Sequence, residues 1–271
     1  MTWLMVHQGD APLVVAFPHT GTTIPPEIED TLRSPWLALK DTDWWVDALY
    51  AFARDLGATT IRTGMSRTVI DVNRDPSGVS LYPGQITTGL CPTETFDGEP
   101  FYRPGVEPDE AEITRRRETW FDPYHRVLSE ELARLRRRHA HVVLYDAHSI
   151  RGHVPRLFPG DLPDLNVGTN GGTTCAPALA EAVMAACERS PYTHILDGRF
   201  KGGWTTRHYG NPGAGIHAIQ MELAMRTYLA EPPVTAWGNW PADYDPARAQ
   251  PLQSTLREVL EAALVFAKGQ A

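Results

Sequence analysis

The chain has 271 residues, is 42% hydrophobic, and carries 25 basic against 33 acidic side chains for a formal charge of −8. That length supports a substantial core, and no low-complexity or Pro/Ser-rich linker divides it, so one domain spanning residues 1–271 is expected. The acidic balance argues against nucleic acid or an anionic membrane surface as the main partner, since both reward basic patches, and any anionic ligand must find a local basic pocket.

Cys91, Cys175 and Cys187 are an odd count without C-x-x-C spacing, which suggests a reducing compartment and neither a disulfide framework nor a thiolate metal site. The first residues lack a basic leader and a sustained apolar run, and no stretch reaches the ~18 apolar residues of a membrane span, so a soluble, cytoplasmic protein is expected.

In chain order, residues 12–18 form a short continuous apolar run that predicts a buried strand, with His19-Thr20-Gly21 at its end. Pro25-Pro26 then forces a turn, which leaves His19 at a strand-to-loop junction. Asp41-Thr42-Asp43 precedes apolar residues at 44, 45, 48, 49, 52, 53 and 56, a helical stripe for which Asp41 or Asp43 would be the N-cap. Capping accounts for one aspartate and leaves the other unexplained.

Residues 58–63 and 67–72 predict two further strands, the second placing Arg67, Val69 and Asp71 on one face and running into Asn73-Arg74. Residues 79–110, rich in Gly, Pro and Thr, show no durable period and predict a long irregular excursion of the kind that walls a site. A helical pattern from 111 to 139 is interrupted by Pro123, which predicts a restart with Asp122 as cap. Its arginines, 115–117, 134 and 136–138, alternate with glutamates and suit a solvated helix face.

The apolar run at 141–147 then ends abruptly in polar residues, Asp146, His148 and Ser149, where a strand of a parallel sheet delivers its carboxyl end and ligands collect. An alanine-rich helix over 176–188, a short strand over 194–197 and a terminal amphipathic helix near 251–267 complete the scaffold. Between them, residues 216–223 alternate, with Gln220 and Glu222 opposite Ile219, Met221 and Leu223, after a glycine-rich, aromatic stretch at 202–212 that contains Arg207. The whole predicts an α/β fold with a mixed, largely parallel central sheet flanked by helices.

Strand ends carrying His19, Asn73-Arg74, His148 and Glu222 offer two imidazoles and a carboxylate, the donor set of a catalytic zinc with one position left to water. No H-E-x-x-H spacing concentrates them on one helix, and on the residues alone a loop histidine held by hydrogen bonds is an equal reading.

Phe17-Pro-His19-Thr-Gly-Thr-Thr-Ile-Pro25, Asp41-Thr-Asp43-Trp-Trp-Val-Asp47, Ser66-Arg67-Thr-Val-Ile-Asp71-Val-Asn73-Arg74, Asp146-Ala-His148-Ser149 and Ala218-Ile-Gln220-Met-Glu222 together resemble the N-formylglutamate deformylase (amidohydrolase) family, in order, over about residues 12–230. The resemblance implies a fold similar to zinc carboxypeptidases and aspartoacylases, and metal-dependent hydrolysis of N-formyl-L-glutamate to formate and L-glutamate in histidine degradation. It implies one Zn2+ per chain on His19, His148 and an acidic residue, Glu222 as the base that assists water, and Asn73-Arg74 as the substrate-holding pair. Carboxypeptidases carry an acidic ligand three residues after the first histidine, and here that position is Thr22. The acidic ligand therefore falls to Asp43, with Asp41 as the close alternative.

The implied substrate is a small dianion, and in an acidic chain each desolvated carboxylate needs a local cation. Arg74, also assigned to catalysis as a stabiliser of the oxyanion, is the first candidate, with Arg67 and Arg207 beside it. Arg67 has a structural alternative as the partner of Asp71. Two rival functions share these motifs: hydrolysis of another N-acyl amino acid, and metal-free binding of a carboxylate or sugar ligand. Oligomeric state is not legible in the residues.

Overall fold

The apolar runs become strands β1 (Leu4–His7), β2 (Leu13–Phe17), β3 (Thr59–Thr63), β4 (Val142–Ile150), β5 (Leu165–Gly168), β6 (His194–Leu196) and β7 (Ile216–Ala224) of one sheet. They are seen in a computed structural model that describes residues 3–80, 84 and 87–269. Across the seven-stranded sheet the order is β1-β3-β2-β4-β7-β5-β6. The central strands β3, β2, β4 and β7 are parallel, whereas β1 and β5 pair antiparallel with β3 and β7, so the sheet is mixed and largely parallel, as expected. Part of the irregular excursion at 79–110, residues 81–83 and 85–86, lies outside the described residues.

Eight helices accompany the sheet among the described residues: α1 (Pro26–Glu29), α2 (Pro35–Leu39), α3 (Val46–Leu49), α4 (Glu110–Arg116), α5 (Asp122–Arg136), α6 (Pro177–Glu188), α7 (Trp204–Tyr209) and α8 (Pro246–Ala267). On one face Leu13, Val15, Val143, Tyr145, Ile219 and Met221 pack with α6 and α8. On the other, Val14, Ala16, Leu144 and Ala218 meet Leu128 and Leu132 of α5. Burying each such aliphatic side chain contributes roughly 1.5–3 kcal/mol, so the two covered faces fix the strand register more firmly than local propensity does.

Because side chains alternate along a strand, Asp146 and His148 continue the α5-side face of β4, and Gln220 and Glu222 continue the same face of β7. The parallel register pairs Asp146 with Gln220 and His148 with Glu222. Past the end of the apolar core, one sheet face thus turns into a patch of polar side chains.

Three expected elements come out differently. The stripe at 44–56 yields only the short α3 and a 3-10 turn at Ala51–Arg54, and neither Asp41 nor Asp43 caps it, because Trp45 at the N-terminal boundary is left-handed with φ 63°. Residues 67–72 form a turn rather than a strand: Val69, Ile70 and Val72 are buried together in the α5-side core, so the period-2 pattern does not reflect pairing. At Pro123 the helix does not restart. A π-helical turn at Arg117–Phe121 joins α4 to α5, and its wider spacing accommodates a residue that cannot donate to the preceding turn.

His125 of α5 ties this helix to the site: its Nε2–H donates to the Val72 carbonyl at 2.8 Å, just before Asn73. Burial drives its pKa down to about 3, partly offset by that hydrogen bond, so the folded chain holds it neutral while the unfolded chain protonates it below ~6.5. This contribution is complete above ~6.5 and lost as pH falls toward 3, at up to about 1.4 kcal/mol per pH unit. We expect urea unfolding between pH 7 and 4 to show a shallower loss of stability for His125→Gln than for the unmutated protein. Equal slopes would remove His125 from the acid response.

Candidate metal centre and cavity

β2 ends at Phe17 and delivers His19 beside His148 of β4, the next strand in the sheet. The Asp43 amide donates to the His19 carbonyl at 3.0 Å, which turns that aspartate, and not Asp41, toward the two imidazoles. Among the described residues, His19, Asp43 and His148 form a buried group whose possible ligand atoms all lie within 4.8 Å of one another.

The tautomer that presents both Nδ1 lone pairs to the middle of the group places each Nε2 proton on a carboxylate, which can only accept. His19 Nε2–H donates to Asp71 Oδ1 at 2.7 Å, and His148 Nε2–H donates to Asp146 Oδ2 at 2.9 Å. Both Nδ1 lone pairs then face inward, 3.1 Å apart, with Asp43 Oδ2 at 3.1 Å from His148 Nδ1 and 3.6 Å from His19 Nδ1. Three acceptors converging in a buried space repel one another unless a cation sits among them, and imidazoles backed by carboxylates are the usual support of a metal ligand.

The electrostatics agree. Burial opposes ionisation of Asp43, but the neighbouring imidazoles of His19 and His148 outweigh it and hold its carboxyl well below the usual range. Burial likewise opposes charging of His148, yet Asp146 and Asp43 raise it well above an ordinary histidine.

Asp41 lies outside this group. Its carboxylate accepts from the Phe96 amide at 2.6 Å and from Arg151 at 3.0 Å, so of the two aspartates the structure brings Asp43, and not Asp41, beside the imidazoles.

The two histidines of the group open on a cavity of about 270 Å³ lined by His19, His148, Glu222, Gln220, Asn73 and Phe96, together with four arginines, Arg67, Arg74, Arg156 and Arg199. Arg67 and Arg74 follow β3, whereas Arg156 follows β4 and Arg199 follows β6, so positive charge is supplied from sheet positions well apart. Arg67 is a structural partner of Asp71 at 3.0 Å and of Asp43 at 3.3 Å, and it also lines the cavity. Arg74 is anchored to Thr88 Oγ1 at 2.9 Å and lies 3.5 Å from Asp71.

Asn73 lines the cavity, but its amide is committed elsewhere: Nδ2 donates to Asp146 Oδ2 at 3.2 Å and Oδ1 accepts from the Thr205 amide at 2.8 Å. It braces the carboxylate behind His148 and pins the start of α7. A Cβ on Gly203 would fall 2.3 Å from Asn73 Nδ2, so only glycine permits this approach. Arg207, in the glycine-rich stretch at 202–212 and expected to meet substrate, belongs to α7; its Nε donates to the Gly202 carbonyl at 3.0 Å, and it is not among the cavity's lining residues.

Glu222 is buried in the cavity wall, where Gln220 Nε2 donates to its Oε2 at 3.2 Å. Burial, with Asp43 adding to it against the opposing His148, pushes its pKa up to about 8. Gln220 also accepts from the Gly203 amide at 2.7 Å. Arg156, Arg199, Phe96 and Gln220 do not stand out in the sequence: the first three sit in aperiodic segments, and Gln220 lies without a role inside the recognised block.

A model of the N-formylglutamate amidohydrolase family matches residues 11–229. The chain is 45% identical over 264 residues to an N-formylglutamate deformylase of Pseudomonas putida, covering 97% of this chain and 96% of that protein. It is also 45% identical over 268 residues to an N-formylglutamate deformylase of Pseudomonas aeruginosa, covering 98% and 97%. Among solved structures, an N-formylglutamate amidohydrolase from Ralstonia eutropha superposes with a TM-score of 0.78 at 24% identity, over 99% of this chain and 98% of that one. A protein from Agrobacterium tumefaciens superposes at 0.74 with 19% identity, over 98% and 96%. The latter two likenesses speak to the fold.

Proposed function

The chain belongs to the N-formylglutamate amidohydrolase family, and from that premise we propose that it hydrolyses N-formyl-L-glutamate to formate and L-glutamate at the cavity described above. The observation that carries this reading is the joint placement, in one cavity, of His19 and His148 of the buried His19–Asp43–His148 group, the buried Glu222 and four arginines.

His19, Asp43 and His148 would hold one divalent ion, and the donor set of two imidazoles and one carboxylate favours zinc. Such an ion supplies Lewis acidity, which acidifies water and polarises a formyl carbonyl. Asp71 and Asp146 keep the Nε2 protons in place, so that each imidazole presents Nδ1. Glu222 takes the proton of the attacking water and returns it to the departing amine, base first and acid afterwards. Arg67, held rigidly by Asp43 and Asp71, and Arg74 beside it provide fixed positive charge for the oxyanion of the tetrahedral intermediate.

N-Formylglutamate brings two carboxylates into an acidic chain, and the arginine-lined cavity answers that charge. Arg74 is the strongest candidate for one of them, while Arg156 and Arg199 replace Arg207 as candidates for the other. The expected result is a strong preference for N-formylglutamate over N-formylglutamine in kcat/KM. Arg74→Ala should erase much of it, since truncating one partner of a buried charged pair costs roughly 2–5 kcal/mol, more than tenfold. Equal kcat/KM for the two substrates in the unmutated protein would point instead to a hydrolase that reads a single carboxylate.

A further inference from the structure

Asp41 stands two residues before Asp43, is likewise buried, and lies behind the cavity wall, against the backbone of Phe96. Its Oδ2 accepts from the Phe96 amide at 2.6 Å, and its Oδ1 accepts from Arg151 at 3.0 Å. Arg151 also reaches Asp97 at 2.8 Å, and Lys40 holds Asp97 at 2.7 Å and pairs with Glu99. The segment 93–101 closes on itself, with the Thr95 amide donating to the Glu99 carbonyl at 2.8 Å and the Phe101 amide to the Thr93 carbonyl at 2.9 Å. Charges from residues 40, 41 and 151 therefore grip this loop at Phe96 and just after it, at Asp97 and Glu99.

The Phe96 ring in turn lies against Arg67, with the guanidinium carbon 4.9 Å from the ring centroid. Both residues line the cavity, and Phe96 is 8% exposed. An aromatic face over a guanidinium favours the cation and excludes water from it, which strengthens the action of its charge on a neighbouring ligand. The edge of the same guanidinium is fixed by Asp43 and Asp71.

We propose that Asp41 is a positioning residue: by accepting the Phe96 N–H it seats the 93–101 loop so that the Phe96 ring covers Arg67 and holds that guanidinium where substrate meets it. The Asp41-Thr42-Asp43 motif thus divides its labour, one carboxylate building the metal group and the other building the wall. This rests on the proposed function, in which Arg67 serves N-formylglutamate.

The test uses the metal-loaded full chain with Asp41→Ala, Phe96→Ala, their double variant and Asp41→Asn, whose amide oxygen still accepts the Phe96 N–H. Hydrolysis of N-formylglutamate by the unmutated chain is measured first, and its absence would refute the function while leaving the loop measurement readable. Asp41→Ala should keep its metal, and amide exchange in residues 93–101 should quicken by about tenfold or more as that local unit opens more often, with Asp41→Asn in between. kcat/KM should fall roughly tenfold in Asp41→Ala and in Phe96→Ala, mostly through kcat because Arg67 acts on the oxyanion, the size of a desolvated cation–π contact. The double variant should be no worse than the worse single one, because both act through the same contact. Multiplying effects on kcat/KM, unchanged exchange, or loss of metal from Asp41→Ala would each overturn the proposal. If Asp41→Ala does not fold, Asp41→Leu, close in volume and without an acceptor for the Phe96 N–H, takes its place in the cycle with Phe96→Ala, and the same results support or overturn the proposal.

Discussion

Alanine in place of His148 should give a folded protein that keeps no stoichiometric zinc through dialysis and has no measurable turnover. His148 Nδ1 is the atom closest to both other members of the group, at 3.1 Å from His19 Nδ1 and from Asp43 Oδ2, so its loss leaves two donors where three are needed. His19→Ala and Asp43→Ala should behave alike, whereas Asp41→Ala should retain metal. The carboxylates behind the imidazoles give a graded control: Asp71→Asn and Asp146→Asn keep the ligands but weaken their hydrogen-bond support, which commonly costs about 10–100-fold in metal affinity. Metal analysis with competing chelator measures all of these. A full equivalent of zinc in dialysed His148→Ala would reject the ligand assignment, and a metal-free but active unmutated chain would reject the metal altogether.

The parts of this site that are legible in the sequence are those whose position depends on a strand. Residues 12–18, 141–147 and 216–223 predict strands because both sheet faces are covered, and covered faces demand continuous or alternating apolar residues. His19, His148 and Glu222 then fall at the ends of such runs, where the parallel register brings them together. The parts that are not legible depend on contacts between distant segments. Asp41 and Asp43 are indistinguishable two positions apart, and what separates them is long-range partnering: the Asp43 amide bonds the His19 carbonyl, whereas the Asp41 carboxylate is held by the Phe96 amide and Arg151.

Asp71 is legible as the partner of Arg67 but not as the acceptor for His19, which lies 52 residues earlier. Residues 67–72 show why alternation alone misleads: Val69, Ile70 and Val72 are buried, as strand residues would be, while Arg67 and Asp71 are held by ion pairs and not by a ladder. Arg156 and Arg199 come from irregular segments without period or motif, and only the fold brings them to the cavity that Arg207 was expected to serve.

Glu222→Gln should fold, hold its metal and lose about 10²–10⁴ in kcat, the usual cost of removing a general base. The substitution is nearly isosteric, and glutamine can still accept the hydrogen bond that Gln220 Nε2 gives to Glu222 Oε2, so the wall of the cavity should survive. What disappears is the proton acceptor. Glu222 suits that task because burial, reinforced by Asp43, lifts its pKa to about 8, nearer to working pH than an exposed glutamate would be. A divalent ion on the adjacent His19–Asp43–His148 group favours the charged carboxylate, so in the loaded enzyme the acid limb of kcat/KM should lie below that value. The sign is fixed by the role: the base must be deprotonated, so activity rises with pH through the limb, and the residual activity of Glu222→Gln should lack it. The alternative is that Glu222 only balances the charge of Arg67 and neighbouring groups. Near-normal kcat in Glu222→Gln, with the acid limb unmoved, would establish that alternative and take Glu222 out of the mechanism.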